Sequence, residues 1–195
     1  MRTAQIQVLK FDELSETAKQ KARDWFREAS AGEQWWSRVY EDAKAAGAMF
    51  GFDIDDIYFS GFWSQGDGAC FTGSFRYGKG CENAIKAAYP EDKELHTIAA
   101  EWVSLQRLNF YQVLGIVQHR GTYQHSGCTY FEIEVNGREP SDELERGVKS
   151  CIRSFMDWIY SELEKEHQWL NSEEYVDATI VGNEYEFTAD GEFYQ

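Results

Sequence analysis

The chain has 195 residues, 43 % of them apolar and 16 % aromatic, and its 34 acids against 19 bases leave a net charge of −15. That length fits one domain spanning residues 1–195, able to bury a core without disulfides or metals, and that charge disfavours direct binding to nucleic acid. No apolar run is long enough to span a bilayer, MRTAQIQVLKFDELSE lacks the apolar stretch of a secretory signal, and no repeat, linker or low-complexity tract is seen.

Residues 4–11 alternate through Ile6, Val8 and Phe11 as a short strand or extended lead-in. Ser15 is placed to cap a helix, with Glu16 in its first turn, and Ala18, Ala22, Trp25, Phe26 and Ala29 recur at helical spacing until Ser30-Ala31-Gly32. A second helix is predicted from Glu33 to Met49, closed by Gly51. The pattern then changes. Ile54 to Phe59 and Ala69 to Tyr77 read as strands, paired around SGFWSQGDG, with Gly78-Lys79-Gly80 ending the second. Helix returns from Cys81 to Tyr89. Pro90-Glu91-Asp92 opens another, carrying Leu95, Ile98, Ala99, Trp102, Leu105 and Leu108 on one face.

Val113 to Arg120 and Thr129 to Val135 form a second β pair around a polar loop, Gly121 to Gly127, and Asn136-Gly137 is a turn. The strongest helix starts at Pro140 to Asp142, where Asp142 and Glu145 fit a capping box. Its stripe runs Leu144, Val148, Cys151, Ile152, Phe155, Ile159, Leu163, and the helix extends past Trp169. Tyr175 to Phe187 reads as helix then strand, followed by the turn Ala189-Asp190-Gly191. Helices and antiparallel strand pairs are segregated, which predicts an α+β fold: a small antiparallel sheet of hairpins covered by several helices.

The charge is unevenly placed. From Asp157 to Gln195 there are eleven acids and one base, Lys165, so ten of the fifteen net negative charges lie in the last fifth of the chain. Such a surface repels nucleic acid and attracts a basic protein, including one that itself holds nucleic acid; plain solubility is the ordinary alternative. Glu162, Glu164, Glu166, Glu173, Glu174, Asp177, Glu184 and Glu186 are the expected contact residues, with Trp63 on the glycine loop as an aromatic anchor if exposed. Lys10, Lys19, Lys21, Arg23 and Arg27 alternate with Glu16, Asp24 and Glu28 and read as a salt-bridged solvent face.

Four cysteines, Cys70, Cys81, Cys128 and Cys151, are widely spaced without a CxxC pair, which predicts reduced thiols in a cytoplasmic chain and no structural zinc. No P-loop, GxGxxG or GxSxG motif appears, and no cofactor is implied. Asp53, Asp55 and Asp56 are read as an acidic loop ahead of the first strand, or as paired acid/base carboxylates. Cys70 is either a nucleophile served by His119 or His125 in the other β pair, or a small buried residue alternating with Thr72. Asp67 to Phe71 resembles the Asp-Gly-x-Cys-Leu-Phe motif of ovarian-tumour-type deubiquitinases, which implies a nucleophile at a helix start; here Phe71 to Phe75 reads as strand.

FDELSETAKQKARDWFR and SGFWSQGDGACFTG together resemble a family of phage and prophage proteins sometimes labelled the antitoxin of a toxin–antitoxin stability system, over roughly the first 80 residues. The resemblance implies a small accessory protein, often an antagonist of host defence, acting in the host cytoplasm. With the charge distribution, the leading expectation is a non-enzymatic acidic inhibitor that mimics nucleic acid and binds a basic host-defence complex of the CRISPR or restriction type. A cysteine hydrolase and an antitoxin against a basic toxin are the alternatives. No membrane partner is expected.

Overall fold

The structure is a computed structural model and describes residues 6–194; residues 4 and 5 of the expected N-terminal strand lie outside them. The fold is α+β with antiparallel sheets, as the segregation of elements predicted. By contacts the described chain divides into two compact units. The smaller contains the residues up to Trp35 and those from Lys165 on, and the larger runs from Trp36 to Glu164.

The larger unit is built on one four-stranded sheet of order β2-β3-β4-β5. Its strands are β2 (Phe52–Phe59), β3 (Ala69–Phe75), β4 (Val113–His119) and β5 (Thr129–Val135), all antiparallel. The two expected hairpins are therefore one sheet, joined where Gly73, Ser74 and Phe75 face Val117, Ile116 and Gly115. The strand begins at Phe52, so Asp53, Asp55 and Asp56 lie within β2 and not in a loop before it. A register shift between Ile54 and Asp56 keeps Phe52, Ile54 and Ile57 buried while the three aspartates stay exposed.

The helices of this unit are α2 (Ser37–Phe50), α3 (Cys81–Ala88), α4 (Lys93–Leu108) and most of α5 (Asp142–Leu170). α2 begins later than expected. Trp36 at its N-cap offers no side-chain acceptor, and the chain passes between the two units at Trp35 and Trp36. Gly51 closes α2 at φ 90°, where an added Cβ would meet the Arg76 carbonyl, so glycine is required there. The core is aromatic: Phe50, Phe52, Phe71, Phe75, Trp102 and Phe155 are all buried, with Phe52 5.1 Å from Trp102 and 5.4 Å from Phe155 between ring centroids.

Hydrogen bonds from buried polar side chains tie these elements together. Trp102 Nε1 donates to the Phe50 carbonyl at 2.9 Å. Gln106, wholly buried, donates to the Val113 carbonyl at 2.8 Å and accepts from the Val113 N–H at 3.3 Å, which ties α4 to the start of β4. Asp92 accepts from the Leu95 N–H at 2.9 Å to cap α4 and from Trp158 Nε1 at 2.8 Å, linking that cap to α5. The α5 cap is Ser141, whose hydroxyl accepts from the Leu144 N–H at 3.3 Å. It is not Asp142, and Glu145 pairs with Lys149 at 2.5 Å, not with the helix start.

The smaller unit packs α1 (Glu16–Ser30) and α6 (Glu173–Gly182) with a three-stranded sheet of β1 (Val8–Lys10), β6 (Glu186–Thr188) and β7 (Phe193–Tyr194). β1 pairs antiparallel with β6, Leu9 opposite Phe187, so the two ends of the described chain share one sheet. Ser15 caps α1 through the Ala18 N–H, as its sequence predicted. Phe11, Leu14, Ala18, Ala22, Phe26, Val176, Ile180 and Phe187 form the core, with Trp25 stacked on Phe193 at 4.0 Å. Arg23 is part of this core and not of a solvent face. It is 6 % exposed and holds Asp177 through two hydrogen bonds of 2.7 and 2.8 Å.

Candidate functional site

The expected contact residues are divided between the two units. Glu162 and Glu164 belong to the larger unit and the other acids of that set to the smaller one. Within the smaller unit the acids meet the basic residues of the first third of the chain. Asp177 is taken up by Arg23, Glu186 lies 3.2 Å from Lys10, and Asp190 lies 3.8 Å from Lys21. The Asp177 hydrogen bond holds the Arg23 guanidinium above its ordinary value, against the opposing effect of burial. Glu184 has φ 55° and gives its carbonyl to Lys10 Nζ at 3.0 Å. Glu173 and Glu174 occupy the first turn of α6, where a carboxylate complements the helix dipole. Glu166 is half-buried on α5. The long-range pairing of α1 with the C-terminal segments is not visible in a linear charge count.

The stretch from Ser60 to Gly68 connects β2 to β3. Asp67 organises it, accepting from the Trp63 and Ser64 N–H groups at 2.9 and 2.6 Å. Tyr160 on α5 donates its hydroxyl to the Gly61 carbonyl at 3.0 Å, and Phe62 stacks on that ring at 5.4 Å. The loop between β4 and β5 lies alongside. A Cβ on Gly68 would come within 2.5 Å of the His125 Cβ, and one on Gly66 within 3.2 Å of the Tyr123 ring. Glycine at both positions lets the two loops touch. Trp63 is 82 % exposed.

Cys70 sits in β3 opposite Tyr58, not at a helix start, and is wholly buried. Burial, with Cys128 nearby, pushes its thiol up to about 12, so it is protonated at neutral pH. Neither expected base is bonded to it. His119 stacks on Tyr58 at 5.2 Å and donates through Nε2 to the Tyr123 carbonyl at 2.9 Å. His125 Nδ1 accepts from the Gly127 N–H at 3.0 Å. A ring nitrogen that accepts carries no proton, so in the neutral ring the proton sits on Nε2. That N–H is aimed at Cys128 Sγ, 3.4 Å away. An imidazole fixed this way donates to a thiol and does not remove its proton. Both histidines hold loop backbone. Burial also pushes the Cys81 thiol up to about 12. All four cysteines are free thiols, and no cluster of His, Cys, Asp or Glu among the described residues is suited to a metal ion.

One face of the four-stranded sheet was missed by sequence reasoning. Register places Asp53, Ser74, Ile116 and Glu132 in one cross-strand row through all four strands, with Leu114 opposite Glu134 beside it. A groove of about 910 Å3 runs here, lined among others by Asp53, Glu132, Glu134 and Glu139, with Leu114 and Ile116 on its floor. Arg76 and Arg138 are the basic groups of its lining. Asp53, Glu132, Glu134 and Glu139 are exposed, and Leu114 is 44 % exposed. The signal was present as alternation in β5, where Glu132 and Glu134 flank Ile133, but the four-strand register that assembles the row was not.

No helix among the described residues is long and apolar enough to cross a membrane. Comparison with curated proteins and with solved structures finds no match. A family model matches residues 35–173, which takes in the whole of the larger unit with its sheet groove and both loops. The chain therefore belongs to the family described as Domain of unknown function (DUF8835).

Proposed function

We propose that this protein acts by non-covalent binding to a basic protein, and that the sheet groove of the larger unit is its contact surface. The groove itself carries the reading: four exposed carboxylates border a partly apolar floor on a rigid sheet face. The acidic excess, four carboxylates against Arg76 and Arg138, steers a basic partner, and the exposed Leu114 beside half-buried Ile116 gives the contact an apolar centre. The partner class that fits is a nucleic-acid-handling protein with a basic cleft. The resemblance to phage and prophage proteins would set such a partner among host-defence complexes, with a basic toxin as the other source. The reading needs no thiol chemistry, in keeping with a protonated Cys70 and histidines engaged by backbone.

The test is capture of partners from host lysate at low and high salt with three proteins: wild type, a groove variant (Asp53→Asn, Glu132→Gln, Glu134→Gln) and a tail variant (Glu173→Gln, Glu174→Gln). The expected result is a basic partner retained at low salt by wild type and tail variant and lost by the groove variant. Loss with the tail variant alone, or no salt-sensitive partner for wild type, overturns it.

A further inference from the structure

This acidic chain carries a cleft of the opposite sign. On α5, Arg146, Lys149 and Arg153 follow one another at spacings of three and four residues, which brings them to one helix face. With Ser150, Ser154 and Asp157 they line a cleft of about 270 Å3, all within the larger unit. Lys149 is steadied by Glu145 at 2.5 Å. Among the described residues neither Arg146 nor Arg153 has a carboxylate within ion-pair distance. Arg153 lies over the Phe131 ring, 5.5 Å from its centroid, and its Nε is buried with no hydrogen-bond partner. A guanidinium stays charged at any working pH and has five donors to satisfy.

We infer that this cleft binds a phosphate-type oxyanion. Two guanidiniums and an ammonium supply the charge, and the Ser150 and Ser154 hydroxyls supply further donors. With Glu145 and Asp157 counted against the three cations, the site keeps one net positive charge in a chain of −15. Donors drawn from several side chains along two helical turns suit a tetrahedral anion, which accepts from many directions; a single planar carboxylate is served by one guanidinium fork. Asp157 at the end of the cleft bars a longer polyanion from running along α5. The site uses no groove residue and stands apart from the proposed partner surface.

The experiment is calorimetric titration of the full chain at pH 8 in low-salt buffer, with inorganic phosphate and with phenyl phosphate as separate ligands. Saturable one-to-one binding is expected, weakened about tenfold or more by Arg153→Ala and by Arg146→Ala. Arg146 is exposed, so its variant folds as wild type and keeps the test valid if Arg153→Ala does not fold. Equal binding of both ligands assigns the site to the free anion, and tighter binding of phenyl phosphate assigns it to an esterified group. Absence of saturation with either ligand up to about 10 mM, ten times a millimolar Kd, overturns the inference. So does binding that both arginine variants leave unchanged.

Discussion

Arg23 shows how one residue's role depends on its distant partner. The alternating acids and bases around it in sequence suggest a salt-bridged solvent face, yet it is buried because Asp177 meets it from α6. Arg23→Ala is expected to destabilise the protein by about 2–3 kcal/mol, towards the low end for a buried pair because Asp177 is one-third exposed. Chemical denaturation read by tryptophan fluorescence checks it, and Arg23→Lys, lacking the two-pronged fork, is expected to restore only part of the loss. The thiols give a pH dependence. Cys70 and Cys81 rise from 9.0 to about 12, so their folded pKa lies above the unfolded one. The stability they contribute is full below pH 9 and is lost as pH rises from 9 towards 12. Denaturation midpoints are expected to fall across that window, and less steeply in Cys70→Ala. In native protein at pH 8, iodoacetamide is expected to label half-buried Cys128 ahead of buried Cys70, Cys81 and Cys151, as mapped by mass spectrometry.

Elements were legible where a local cause sets them. Ser15 before α1, Asp92 before α4 and Gly51 after α2 each act within one turn, and each lies where the sequence pattern put it. The α5 start was misread by one residue, because Ser141 and Asp142 are both good caps and only the backbone path decides between them. Ser141→Ala is expected to cost about 1 kcal/mol and Asp142→Ala a few tenths, measured as shifts in thermal midpoint. The two loops beside Cys70 are a tertiary matter. Gly68 is needed because His125 leaves no room for a side chain. Gly68→Ala is expected to push the loops apart and to speed Cys128 alkylation, whereas Gly32→Ala, with open space around its Cα, is expected to leave that rate unchanged.

For the whole molecule, a net charge of −15 implies self-repulsion in the folded state. Raising sodium chloride from about 20 to about 200 mM screens it, and the thermal midpoint is expected to rise, whereas dominance of ion pairs such as Arg23 with Asp177 would make it fall. The sequence by itself determined the α+β class, most helices and strands, the absence of a cofactor motif and the sign of the charge. All of these follow from periodicity, capping and composition, which act over a few residues or over the whole sum. Only the tertiary structure decided that both hairpins form one sheet, that β1 pairs with β6, and that Asp177 and Glu186 meet Arg23 and Lys10. It also decided that Asp53 and Glu132 share a row in which neither is a sequence neighbour of the other. Strand register and long-range ion pairing join residues far apart in the chain, and the residue types along a single strand or helix leave the choice of partner open until the core is packed.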